Sequence, residues 1–252
     1  MTFSDKERRE LARRVQILTV DTEVISIALR KIVSQLNGDL PVFPDEPTYL
    51  FSNLPTSLPI VKNGNFSQRN WTDITMPGGQ SRGQQPDGWK LIWQIPGQRL
   101  IGDPDTTITV EPECVHKLSD QLPTNEQKDG LDALILEGDA VYKIFHSAGI
   151  FYAELYKTVF VPPGDGEIIA FVQVHKSSSD PWAAEAGLWA NDVGGWYNGT
   201  TIPKLEDHKW IKMRASYEMP SNGGNVEIVI RVKSKWALPV DFFIDDVKIK
   251  VF

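Results

Sequence analysis

Asn225-Val226-Glu227-Ile228-Val229-Ile230-Arg231-Val232-Lys233-Ser234-Lys235-Trp236 is the stretch that decides the fold. Val226, Ile228, Ile230 and Val232 occupy alternate positions, with Glu227, Val229, Arg231 and Lys233 between them. A period of two turns one set toward a core and the other toward water, as in a strand of an antiparallel sheet. The same reading covers ALILEGDAVYKIF (133–145), AELYKTVFV (153–161), GEIIAFVQVHK (166–176), EAGLWAN (185–191), KWIKMRASYEM (209–219) and DFFIDDVKIKVF (241–252). Breakers separate these runs: Pro162-Pro163-Gly164-Asp165-Gly166, Ser177-Ser178-Ser179-Asp180-Pro181, Gly194-Gly195 and Pro220-Ser221-Asn222-Gly223-Gly224. From about residue 60 no long 3.6-residue period recurs, so the body is expected to be all-β, a jelly-roll β-sandwich.

Composition agrees. Of 252 residues, 23% are charged and 41% hydrophobic, which marks a globular chain able to bury a core. Gly 19 and Pro 17 favour a turn-rich β body, and eight Trp suit both cores and binding faces. The net charge of -7 sits mostly beyond residue 38. An acidic body repels a phosphate backbone, so nucleic acid is not an expected partner. Cys114 is the single cysteine, which rules out an intrachain disulfide. The opening MTFSDKERRELARR is charged where a secretory signal needs an apolar core, and no apolar run approaches the roughly 18 residues of a membrane span.

Residues 1–38 read differently. Ser4-Asp5-Lys6-Glu7 fits a capping box at a helix start. Leu11, Val15, Leu18, Thr22, Ile25, Leu29, Ile32 and Leu36 then alternate at spacings of four and three, a heptad seam with one polar member. Ile17, Val20, Val24 and Ile27 form a second stripe on the far side. A two-stranded coil buries only one seam, so this coiled-coil-type α-helix is expected in a homotrimer or larger bundle, or docked on a second protein. The alternative is packing on the chain's own β body. Residues 39–59 carry Pro41, Pro44, Pro47, Pro55 and Pro59, a stiff linker that argues for separation. The organisation is thus helix 1–38, linker 39–59 and β domain 60–252.

Val61-Lys62-Asn63-Gly64-Asn65-Phe66, followed by Pro86-Asp87-Gly88-Trp89, resembles the opening of carbohydrate-binding-module-like (galactose-binding-like) jelly rolls. Ile244-Asp245-Asp246-Val247 is similar to their closing strand, and Lys157-Thr158-Val159 with Pro163-Gly164 to their middle. The resemblance implies that the first and last strands lie side by side. It also implies a structural calcium where they meet, held by Asp245, Asp246 and Asn65, with Asn63 nearby. Ser67 stands where that family has an acidic residue. The other reading turns Asp245 inward to backbone N–H groups, or to a buried Arg or Lys, and leaves Asp246 facing solvent.

Sugars are gripped by aromatic rings on their C–H faces and by polar side chains on their hydroxyls. The segment 173–198 interleaves Trp182, Trp189, Trp196 and Tyr197 with Gln173, His175, Glu185 and Asn191. Glu185, Gly187 and Trp189 share one face if that run is a strand. Core or loop-anchoring Trp is the alternative for each ring, and Trp89 is read as core. Catalysis is not expected. His116, His146, His175 and His208 lack tight metal spacing, and no G-x-S-x-G elbow occurs. Cys114 and His116 lie two apart beside Glu111 and Glu113, a poor setting for a thiolate. Glu137, Glu154 and Glu185 are the candidates for a hydrolytic pair.

A helix that gathers copies and a sugar-binding-like β domain on a stalk suit a non-enzymatic virion protein of the phage decoration or fibre type, possessing adhesive function and made without export. A free-standing carbohydrate-binding protein oligomerised by its helix is the alternative, with a glycosidase-like enzyme third.

Overall fold

The stretch that opens the argument belongs to a strand of 28 residues in a computed structural model that describes residues 61–75, 82–191 and 197–252. The heptad seam Leu11 to Leu36, the second stripe Ile17 to Ile27, the proline-rich linker and Trp196 lie outside the described residues. The strands in chain order are β1 (Trp71–Thr75), β2 (Arg82–Pro86), β3 (Lys90–Trp93), β4 (Arg99–Leu100), β5 (Asp103–Thr107), β6 (Glu113–Leu118), β7 (Ala140–Val161), β8 (Gly164–Lys176), β9 (Ala184–Asn191), β10 (Tyr197–Ile202), β11 (Ile211–Met219) and β12 (Gly224–Val251).

Two very long strands organise the domain. β7 and β12 run antiparallel from Val161↔Gly224 to Tyr142↔Ile244. Their register slips between Ser234 and Leu238, and again before Val240. Pro239 lacks the N–H a regular ladder needs, and a bulge bends a strand at such a point. The sequence runs expected as four strands are therefore two, each bent in the middle. Residues 133–139 precede β7 and form no strand.

The bend lets each strand serve two layers. The first half of β12 pairs with β7 on one side and β9 on the other, with β10 beyond β9 and β3 against β7. The second half of β12 lies between β7 and β8, with β11 beyond β8, and with β6, β2 and β1 beyond β7. The inward sets of both layers merge in one core: Val226, Ile228, Ile230 and Val232 with Ile168, Ala170, Val172 and Val174. Phe151 of the first layer meets Phe242 of the second edge to face, 6.0 Å between centroids. The result is an all-β sandwich made by a curled sheet.

The opening segment touches the last strand, but residues 61–66 form turns and β1 pairs with β2 at the edge of the sheet, so the first and last strands are not neighbours as the resemblance implied. Val247 N–H donates to Gly64 carbonyl at 2.9 Å, and Trp89 Nε1 donates to Asn63 carbonyl at 3.1 Å. Trp89 is buried against Phe66, so it is core.

Both outer faces are partly roofed. Leu134 and Ile135 cover Val141 and Phe243 on the second layer. On the first layer Leu100 and Ile108, from the β4–β5 hairpin and its flank, cover Tyr152. Among the described residues, nothing roofs the region around Trp189 on the first layer, where Tyr156, Trp189, Val229 and Arg231 line a concavity.

Candidate functional site: an aromatic slot on the first layer

Strand register brings three residues far apart in sequence into one row. Val229 of β12 stands opposite Tyr156 of β7 on one side and Trp189 of β9 on the other. Gly199 of β10 continues the row beyond Trp189. Val229 is short and buried, and the larger Tyr156 and Trp189 side chains flank it. Tyr156, Trp189, Val229 and Arg231 line a concavity of about 280 Å3. That is near the lower end of ligand clefts, roughly 300–1,000 Å3.

Two glycines shape the indole's seat. A Cβ on Gly187 would stand 2.2 Å from Cη2 of Trp189, and one on Gly199 would stand 2.3 Å from its Cδ1. Only residues without a side chain let the ring lie down across β9 and β10. The guanidinium of Arg231 then sits over the indole, 4.3 Å from its centroid, and 5.3 Å from the Tyr152 ring.

Glu154, next to Tyr156 on the same face, anchors this arrangement. Its Oε1 accepts from Arg231 Nε at 2.6 Å and from the Tyr152 hydroxyl, and its Oε2 accepts from the Tyr156 hydroxyl. Burial, and then the hydrogen bond to Glu154, push both phenols well above their ordinary pKa, so they stay protonated and donate. Farther along the face, Lys233 pairs with Glu185 at 2.7 Å beneath Gly102 of the hairpin.

The residues expected from sequence to hold a sugar divide. Glu185, Gly187 and Trp189 do share the outer face of β9. The backbones of Asn191 and Tyr197 pair across β9 and β10. Gln173 and His175 lie on β8 in the other layer and do not join them. There Gln173 is buried, and His175 stacks on His208 at 3.7 Å and against Phe243. Trp182 sits in a 3-10 turn ahead of β9, half exposed, with Lys204 Nζ 4.3 Å from its ring. Tyr156, Val229 and Arg231 were not among the expected residues. The alternation of 225–233 marked Val229 and Arg231 as outward, which was the available signal.

The paired aspartates are occupied by protein donors. Asp245 is fully buried and accepts N–H bonds from Leu136 at 2.7 Å, Glu137 at 3.1 Å and Asp246 at 2.7 Å. Burial outweighs those bonds and raises its carboxyl to about 7. Asp246 bonds Lys248 Nζ at 2.6 Å. Asn65 Oδ1 accepts from Ser67 N–H, and the Ser67 hydroxyl accepts from Asp139 N–H. Among the described residues no three His, Cys, Asp or Glu converge as metal ligands. A calcium ion needs several free oxygens, and this donor set does not offer them. The inward reading of Asp245 describes the geometry.

The hydrolytic candidates do not form an open pair. Glu137 belongs to the segment tied to Asp245, whereas Glu154 and Glu185 lie on the first layer, each already bonded. Cys114 is buried, and that burial raises its thiol to about 12, far from a reactive thiolate. His116 packs against Trp71 at 4.8 Å, neither ring nitrogen has a hydrogen-bond partner among the described residues, and burial lowers it to about 4.

The domain is an all-β sandwich. No protein-family model and no curated protein matches the chain. Among solved structures it is similar to the module TmCBM61, solved with β-1,4-galactotriose, at 15% identity and TM-score 0.48 over 78% of this chain and 100% of that one. It also matches the enzymatically active domain of bacteriophage CBA120 tailspike protein 4, at 13% identity and TM-score 0.44. That match spans 77% of this chain but 22% of the tailspike chain. A third match is the CBM22-1 xylan-binding domain of Paenibacillus barcinonensis Xyn10C, at 12% identity and TM-score 0.36 over 75% and 91% of the two chains. Identities this low and TM-scores below 0.5 leave function to the chain's own residues.

Proposed function

We propose that this domain is a non-catalytic glycan-recognition module whose binding site is the slot between Tyr156 and Trp189. The observation that carries the reading is the row Tyr156–Val229–Trp189, with the indole laid flat over Gly187 and Gly199. A sugar ring presents apolar C–H faces and a hydroxyl rim. Two aromatic side chains flanking a buried valine offer apolar contact, and Arg231, lying over the indole, offers donors. Binding rather than hydrolysis is supported by Glu154, whose oxygens are filled by three donors, and by Glu185, which is paired with Lys233. A glycoside hydrolase needs two available carboxylates. Glycan-array screening followed by calorimetry tests the proposal. Trp189→Ala and Tyr156→Ala are expected to abolish the binding that the parent shows. An array with no bound glycan, or variants that bind as the parent does, refutes it.

The sequence supports multivalent display of that site. The heptad seam of residues 11–36 and its second stripe suit a homotrimer anchored on a larger assembly, as in phage decoration proteins or fibres. Several weak sugar contacts then act together. A free-standing oligomeric lectin-like protein uses the same site without the particle. Light scattering of the full chain against residues 60–252 tests the oligomer: equal, monomeric masses reject it.

A further inference from the structure

The slot has more to say about its ligand than that it is a sugar. Its polar atoms are unevenly committed. The Tyr156 hydroxyl proton is given to Glu154, and both Glu154 oxygens are filled. Arg231 spends Nε on Glu154, and its two Nη groups make no hydrogen bond to a described residue. The guanidinium cannot turn away. Glu154 holds one edge, and the Trp189 ring holds its face at 4.3 Å. Among the described residues, the strongest polar group at the slot left without a hydrogen-bond partner is therefore a planar, oriented pair of donors with no accepting capacity. A hydroxyl both gives and takes hydrogen bonds, so it uses such an edge poorly. A carboxylate only takes them, and its two oxygens match the two Nη groups.

We infer that the slot recognises a carboxylate-bearing sugar, such as a uronic acid unit of an acidic polysaccharide, through the Nη edge of Arg231. This rests on the slot being the glycan site. The neighbouring charges are Glu154, which neutralises Arg231 and sets its angle, Lys90 beside Tyr156 on β3, and Glu227 on the next row of β12. Glu227 lies on the side of Val229 away from Arg231. The carboxylate is thereby directed to the Arg231 end.

Calorimetry on the full chain with matched probes tests this: polygalacturonate, alginate and hyaluronate, each beside its methyl ester, with neutral galactan as a further arm. The ester keeps the ring shape and removes the charge, so no variant has to fold for the comparison to work. At least one acid is expected to bind about ten- to a hundredfold more tightly than its ester, the range of a charge-assisted hydrogen-bond pair. Added salt is expected to weaken the acid and not the ester. Arg231→Lys keeps a positive charge without the planar fork, and it is expected to erase most of the acid–ester difference. Esters or galactan binding as tightly as the acids overturn the inference and leave the slot standing. No binding in any arm overturns both.

Discussion

Gly187→Ala isolates the seat of the indole from everything else in the site. The new methyl carbon would stand 2.2 Å from Cη2, 2.5 Å from Cζ3 and 3.0 Å from Cζ2 of Trp189, and the three nearest atoms it meets are all of that one side chain. Ordinary contact begins at 3.4 Å, so the indole has to lift by roughly 1–2 Å. It then leaves the floor formed with Gly199 and crowds the guanidinium of Arg231. Loss of that cation–π contact costs about 0.5–2 kcal/mol, and replacing a strand glycine by alanine returns about 0.5–1 kcal/mol. Net stability should change by no more than about 1.5 kcal/mol, so the variant should fold. Binding should suffer more. Losing roughly 50–100 Å2 of apolar contact with the sugar's C–H face, at about 25 cal/mol per Å2, costs about 1.3–2.5 kcal/mol, a loss of roughly ten- to seventyfold in affinity. Calorimetry against the best array ligand gives the affinity, and near-UV circular dichroism with a melting curve reports the indole and the fold. Unchanged affinity alongside a shifted tryptophan signal would refute the claim that the flat indole is part of the site.

Two pH effects of opposite sign are expected in denaturant midpoints measured between pH 4 and 7. His116 falls from 6.5 to about 4 on folding, so its contribution is complete above pH 6.5 and is lost as the pH drops toward 4, by about 3 kcal/mol. Asp245 rises from 3.8 to about 7, so its contribution is complete below pH 3.8 and is lost as the pH climbs through 7. His116→Phe should flatten the acid limb and Asp245→Asn the neutral one; variants that keep the parent's pH dependence would contradict these assignments. Trp182 stands apart from the slot in its own turn, with Lys204 and Lys235 over its ring. Trp182→Ala should therefore leave affinity within about twofold, and a large loss would extend the site to that end of β9.

What the sequence determined by itself was local. Alternation in 225–236 and 166–176 identified strands, because a pleated backbone turns successive side chains to opposite faces. The same rule correctly grouped Glu185, Gly187 and Trp189, and the Gly88-Trp89 pair announced a core tryptophan. It could not show that 225–236 and 241–252 are one strand, since the bend at Pro239 looks like an ending when only neighbours are considered. Nor could it place Tyr156 beside Val229, or Val229 beside Trp189. Those pairings join β7, β12 and β9 across tens of residues and depend on register, which a shift of one residue would invert. Val229 and Lys233 belong to the outward set, yet both are buried, the lysine beneath the β4–β5 hairpin. Local pattern thus chose the strands and their faces. Only the folded sheet decided which outward residues meet, which are roofed, and which are left to hold a ligand, because those outcomes are set by contacts between segments distant in the chain.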